Sequence, residues 1–410
     1  MFKFRRTSVA ALAAAAAIPG LLTVAAPPAS AAPAPYTIAL ITSITGLAAP
    51  QDVGTVGAFK ARLALQNAQG GINGHKLEPL IIDDQTSPTA VSTGIQDAIS
   101  KGAIGIVSES PVLFLAAKVA AAAGIPVTGD DSDGPEWGEP GYTNMFAAVY
   151  GSLNPSYPVN TGYGQLLKAT GATKVATYAI GVSPDSVRAN SDVAQSFARV
   201  GGKTLVNDSS VPFGSVDFTA AALTAKNAGV NALWPNLDSA SDVAITVAYE
   251  QAGIKTKAVI LPAGLSPSLI KSPAWPELKG VVFLDEVHPF QLPNAGTKAM
   301  QAALEKYDNY TSKDFPNFSE SNAWLGADLM IEGIGNAGPN PTRASVVKAL
   351  RDIKSYNGNG LLANPINFST VFGHDLPICV WALRAEKTGF VPMKSTPYCG
   401  TDIPGTKATS

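Results

Sequence analysis

The stretch from Gly70 to Pro88, GGINGHKLEPLIIDDQTSP, restricts the fold more than any other part of the chain. An Ala-rich run with apolar Ala58, Phe59, Ala61, Leu63, Ala64, Leu65 and Ala68 precedes it and predicts a helix over Gly57 to Gln69. Gly70-Gly71 ends that helix, because glycine enters a left-handed cap without a Cβ clash. Asn73-Gly74 makes a tight turn, and Leu77 to Ile82 is a short apolar run of buried-strand type. Asp83-Asp84 closes that strand, and Ser87-Pro88 opens the next helix, with serine as N-cap and proline at the first helical position. Since Tyr36 to Thr42 also reads as a strand, the unit is strand, helix, strand, helix. That alternation predicts α/β layers around a parallel sheet.

The order Ser43-Ile44-Thr45-Gly46, then Gly70-Gly71-Ile72-Asn73-Gly74, then Asp83-Asp84-Gln85-Thr86-Ser87-Pro88 resembles the start of the branched-chain amino acid-binding proteins. These are extracytoplasmic solute receptors of ABC importers. Val216-Asp217-Phe218-Thr219 and Ala228-Gly229-Val230-Asn231-Ala232-Leu233-Trp234 resemble the family's second lobe. The similarity runs from Tyr36 to Met393. It implies a two-lobed periplasmic binding protein of type I, each lobe a mostly parallel sheet flanked by helices, with three hinge crossings. Residues 36–147 with 284–365 form the first lobe on this reading. Residues 148–283 with 366–400 form the second, and 401–410 are a frayed tail.

A chain of 410 residues suits two such lobes. Charged residues make up 15%, below the roughly 25% of ordinary soluble domains, as small-residue helices on buried sheets require. The net charge of −2 favours neither nucleic acid nor an anionic membrane as partner. Residues 1–31 read as a signal peptide: Lys3, Arg5 and Arg6, an Ala- and Leu-rich run from Val9 to Ala26, then Ala29-Ser30-Ala31 for cleavage. The alternative is a membrane anchor, but Pro19-Gly20 interrupts the apolar run. With no lipid-accepting cysteine nearby, the mature chain is expected free in the periplasm or outside the cell. Cys379 and Cys399, the only cysteines, are expected to form a disulfide in that compartment, two unpaired thiols being the alternative.

Ligands of open α/β sheets lie beyond the carboxyl ends of the strands. The loop Thr42 to Asp52, with Gln51, should therefore border the cleft. After a strand at Ala103 to Val107, Ser110-Pro111 predicts an N-capped helix through Val112 to Ala123. The resemblance gives Ser110 a second role, holding a ligand carboxylate, although Ile106 replaces the family's usual glycine. It also puts Asp131, Ser132 and Asp133 beside the ligand. Those acids suit a cation or polyol hydroxyls, and equally suit turn caps on a solvated rim. Asn144 to Tyr150 is expected as the first hinge strand, Ser191 to Val200 as a helix, and Ile366 to Phe368 as the third crossing. By the same resemblance Ser186 and Asp238 flank the ligand, and Trp234 is either a stacking partner or core. Ala263 stands where the family carries the acid that pairs with the ligand ammonium, so the usual zwitterion clamp is incomplete.

Two classes of function compete. The first is a monomeric receptor that closes over a small polar solute and docks on an ABC permease. The second is an enzyme on the same fold. His75, His288 and His374 have no metal spacing, and the sequence has no nucleophile elbow, Walker loop or dinucleotide fingerprint. The expectation is a binding protein with no metal and no cofactor. A sensory receptor feeding a membrane signalling protein is a variant of the first class.

Overall fold

The computed structural model describes residues 33–130, 134–149, 158–370 and 379–406. The leader, Asp131, Ser132, Asp133, Tyr150 and His374 lie outside the described residues. Pro33–Ser410 forms one compact unit. Its first part alternates β1 (Tyr36–Thr42), α1 (Thr55–Ala68), β2 (Leu77–Asp83), α2 (Pro88–Ser100), β3 (Gly105–Glu109), α3 (Ala117–Ala123), β4 (Val127–Gly129) and β5 (Met145–Ala147). These strands pair in the order β2-β1-β3-β4-β5, all parallel.

The glycine-rich turn works as its sequence implies. Ile72 N donates to His75 O and His75 N to Ile72 O, both at 2.9 Å. Gly71 has φ +79°, and a Cβ there would meet His75 O at 1.9 Å. Ser87 caps α2 by accepting from Ala90 N at 3.4 Å.

The second part runs α4 (Gly162–Ala169), β6 (Lys174–Ile180), α5 (Pro184–Arg199), β7 (Lys203–Val211), α6 (Thr219–Ala228), β8 (Ala232–Asn236), α7 (Ser239–Gln251), β9 (Ala258–Leu261), α8 (Pro267–Ile270) and β10 (Val282–Asp285). The chain then returns through α9 (Ala295–Tyr307), α10 (Phe318–Asn336) and α11 (Arg343–Asp352) to the first lobe. It ends in β11 (Cys379–Glu386), β12 (Gly389–Pro392) and β13 (Tyr398–Cys399) of the second. The second sheet is ordered β12-β11-β10-β9-β8-β6-β7, and its stretch β7-β6-β8-β9-β10 repeats the strand order of the first. Antiparallel β11 and β12 close its edge as a hairpin.

Each sheet is covered on both faces, which is why its strands are apolar runs rather than alternating ones. In the first lobe one cluster unites Phe59, Met300, Leu329 and Leu350 from α1, α9, α10 and α11. Another holds Ile95, Leu113 and Ala120 on the opposite face. Gly326 lets α10 lie against the sheet: a Cβ there would stand 3.0 Å from Gly129 Cα, and Thr128 Oγ1 donates to Gly326 O at 2.7 Å. The disulfide joins Cys379 to Cys399, partners in register on β11 and β13.

Several expectations need correction. The helix expected over Val112 to Ala123 is broken into a 3₁₀ turn, Leu113–Leu115, and α3. Fully buried Leu113 anchors that turn in the core, and Ala116 at φ −123° interrupts the helix. Helix α5 begins at Pro184 rather than Ser191, because Ser183-Pro184 repeats the cap and first-position pair of Ser87-Pro88. Strand β8 continues through Pro235, where β9 has already ended its pairing at Leu233, so the missing N–H leaves no gap on that side. Ile366 and Phe368, expected at the third crossing, lie in the first-lobe core, with Ile366 and Tyr356 exchanging backbone bonds. The tail is not frayed through residue 406. Thr161 N donates to Thr401 O at 3.0 Å, Ile403 N to Val159 O at 2.8 Å, and Val159 N to Thr406 Oγ1 at 3.0 Å.

Candidate functional site

A strand order of this kind has one switch point, where successive connections leave to opposite faces, and its loops form a crevice. In the first lobe the switch lies between β1 and β3, and in the second between β6 and β8. Two observations bring these ends together. Glu286, just past β10, has Asp130 from the end of β4 and Asp185 from the first turn of α5 as electrostatic neighbours. At the rim, a Cβ placed on Gly214 of the second lobe would lie 3.9 Å from Leu47 Cδ2 of the first. The carboxyl ends of the two sheets thus face one another across a cleft.

Carboxylates that point inward hold the first-lobe wall in shape. Asp52 accepts from Ser43 N at 3.0 Å and Thr42 Oγ1 at 3.1 Å, and Asp84 from Ser43 Oγ at 2.6 Å. Asp83 accepts from Ile44 N, Thr45 N and Thr45 Oγ1 at 2.7–3.1 Å. Burial pushes the Asp52 carboxyl up to about 8, against the hydrogen bonds from Ser43 and Thr42. For Asp83 burial is the largest single effect and raises the carboxyl, but the hydrogen bonds from Thr45, Gln85 and Ile44 together outweigh it and hold it below its ordinary value. The loop's own serine and threonine hydroxyls are therefore spent on its shape. Gln51 is half-buried in it, its backbone N–H donating to Ala48 O at 3.0 Å. Ser110 is buried one residue past β3, where its Oγ accepts from Val112 N at 3.4 Å and its carbonyl from Leu113 N at 3.3 Å.

On the second lobe, Ser186 ties two strand ends together. Its Oγ accepts from Ile180 N at 2.7 Å and donates to Asn236 O. Asp238 caps α7, accepting from Ser241 N at 3.1 Å and Ser241 Oγ at 2.6 Å, and from Gly214 N at 3.0 Å. That last bond fixes the β7–α6 loop, whose Gly214 meets Leu47. Ala263 is half-buried after β9 and its amide faces fully buried Asp242. Burial, then the neighbouring Asp238, hold the Asp242 carboxyl well above its ordinary range. Trp234 is core: it is 1% exposed, with its ring centroid 5.0 Å from that of Tyr163.

Sequence reasoning missed the acids of the second crossing. Burial pushes the Asp285 carboxyl up to about 7, though its Oδ1 accepts from Val287 N at 2.9 Å. Burial, then Asp130, Asp185 and Asp285, raise Glu286 well above its ordinary value. The four carboxyls come from three elements far apart in sequence. Only the adjacency of Asp285 and Glu286 at the end of an apolar strand could have marked them.

Residues 35–389 match the profile of a family described as periplasmic binding protein. Among curated proteins no sequence matches. The fold is that of solved solute-binding proteins. A leucine-binding protein from Thermotoga maritima superposes with TM-score 0.72 at 17% identity, covering 87% of this chain and 97% of that one. A solute-binding protein of an ABC transporter from R. palustris, in complex with benzoate, gives 0.73 at 15%, covering 91% and 99%. A fatty acid ABC transporter substrate-binding protein from Thermomonospora curvata gives 0.74 at 15%, covering 90% and 93%. These neighbours share one two-lobed architecture with different solutes. With that architecture and a profile match over most of its length, this chain belongs to the periplasmic binding protein family.

Proposed function

We propose that this protein is the extracytoplasmic solute-binding component of an ABC importer, holding a small polar solute in the cleft and docking in its closed form on a membrane permease. The observation that carries this reading is the facing of two switch-point crevices across a cleft, in a chain of this family. Closure needs only that the solute bind the closed state better than the open one. The reading includes a cleaved leader and a monomer free outside the cytoplasm. It assigns no catalytic residue.

Ser110 is the first-lobe contact we assign to the solute, with Gln51 and the segment Asp131, Ser132 and Asp133 beside it. Ser186 and Asp238 act from behind, since hydrogen bonds within the second lobe already occupy the Ser186 hydroxyl and the Asp238 carboxylate. The acids around Glu286 favour a solute rich in N–H or O–H donors: an amine, an amide or a polyol. Ala263 offers no carboxylate to an ammonium group. Losing one charge-assisted hydrogen bond costs about 2–3 kcal/mol, so leucine should bind roughly a hundredfold more weakly than in a complete clamp.

Mass spectrometry of the denatured protein identifies whatever solute copurifies, and small-angle scattering with and without it reads closure. A smaller radius of gyration with the solute unchanged is expected. Conversion of the solute, or binding with no compaction, would overturn the reading. Submicromolar leucine binding that survives Asp131→Ala would overturn the argument from Ala263.

A further inference from the structure

The loop between α9 and α10, residues 308–317, joins two helices of the first lobe, yet it packs on both lobes. Tyr310 lies against the first-lobe core, and its hydroxyl donates to Glu320 in the first turn of α10. Five residues on, half-buried Phe315 packs on the core of the second lobe. Its ring centroid is 6.0 Å from that of Phe390 in an edge-on contact. Phe390 in turn meets Phe283 and Trp275 edge-on, each at 5.0 Å. Beside Phe315, Asp314 has Lys271, just past α8 of the second lobe, as an electrostatic neighbour.

The first-lobe end of this loop is built to keep its shape. Gln301 Nε2 on α9 donates to Thr311 O at 3.0 Å, and so does Asp314 N. Asp314 Oδ2 accepts from Thr311 N at 2.9 Å and Thr311 Oγ1 at 2.6 Å. Asn317 caps α10 by accepting from Glu320 N at 2.8 Å, and its Nδ2 donates to Val53 O of the cleft-wall loop, also at 2.8 Å. The loop therefore moves with the first lobe, and Phe315 is its tip on the second. A ring seated in the other lobe's aromatic cluster stabilises whichever lobe arrangement makes the contact. That arrangement is the one in which Leu47 meets Gly214 across the cleft rim. Parting the lobes about their hinge strands strains or breaks the Phe315 contact.

We propose that residues 308–317 form a strap between the lobes, which favours the closed cleft by seating Phe315 against Phe390 and gives way as the lobes part. The proposal rests on the closure that the receptor reading requires, and adds the element that sets how readily the empty cleft closes. Spin labels at Thr93→Cys on α2 and Thr224→Cys on α6, both exposed and in different lobes, test it by pulsed electron resonance on the solute-free mature protein. Phe315→Ser should lower the ratio of closed to open molecules about fivefold, the order expected for one lost aromatic pair. Lys271→Glu, at an exposed position, leaves every ring in place and should lower the ratio about twofold by repelling Asp314. Thermal unfolding checks that both variants are folded. A ratio that folded Phe315→Ser leaves unchanged, or raises, would overturn the strap. Compaction of the parent with its copurified solute is read separately by scattering, so failure of the strap and failure of the receptor reading give different results.

Discussion

Asp238 shows how a side chain near a cleft can be fully occupied by the protein's own backbone. It caps α7 through Ser241 and holds Gly214, so its carboxylate carries three hydrogen bonds. Removing an N-cap costs about 1 kcal/mol, and the lost Gly214 bond adds a similar amount. Asp238→Ala should lower unfolding stability by roughly 2 kcal/mol in urea denaturation, and Asp238→Asn should recover part of it. A variant as stable as the parent would show that the cap does not hold the loop. The same logic applies to Gly54, the N-cap of α1: its φ is +89°, and a Cβ would come 1.8 Å from Glu320 Oε1. Asp238 is visible in the sequence as an acid before a helix. Its grip on Gly214 is not, because that bond spans two loops separated by α6 and β8.

Among the elements, those bounded by strong local signals appear where the sequence puts them. Strand β1 has the expected limits, β2 runs one residue past its expected end, and α2 starts at the expected Pro88, because each is bounded by strong local signals. The segment after Ser110 departs from expectation, since burial of Leu113 outweighs the helical propensity of the alanines that follow. The terminal strands depend on a covalent link as well as a register. Cys379 and Cys399 close a loop with a sequence separation of 20, and such a loop adds about 3 kcal/mol by restricting the unfolded chain. The double variant Cys379→Ser, Cys399→Ser should therefore unfold at lower denaturant, by about that free energy. An unchanged midpoint would mean that β13 is held by its neighbours alone.

At the scale of the whole molecule, burial of acids sets the response to pH. Asp52 is pushed up to about 8, and Asp285 and Glu320 to about 7, in each case chiefly by burial. Their folded values lie above the unfolded ones, so between about pH 4 and 8 the folded state binds protons that the unfolded chain has released. Stability from these groups is present at acid pH and lost as pH rises through that window. Each tenfold preference for the protonated acid is worth about 1.4 kcal/mol. Asp83 and Asp314 are lowered, so they stabilise the folded state when ionised, and that contribution is lost only at still lower pH, where they protonate. Scanning calorimetry should give a higher Tm at about pH 5 than at pH 8. A Tm that is flat or rises toward pH 8 would refute it. The sequence by itself determined the α/β alternation of the first lobe, the glycine turn at Gly70-Gly71, the Ser87 cap of α2 and the cysteine pair. Only the tertiary structure decided which hydroxyls and carboxylates are already spent, which acids meet at Glu286, and that Tyr310 and Phe315 of one loop pack on different lobes. Those properties depend on burial and on contacts between distant segments, which no local pattern encodes.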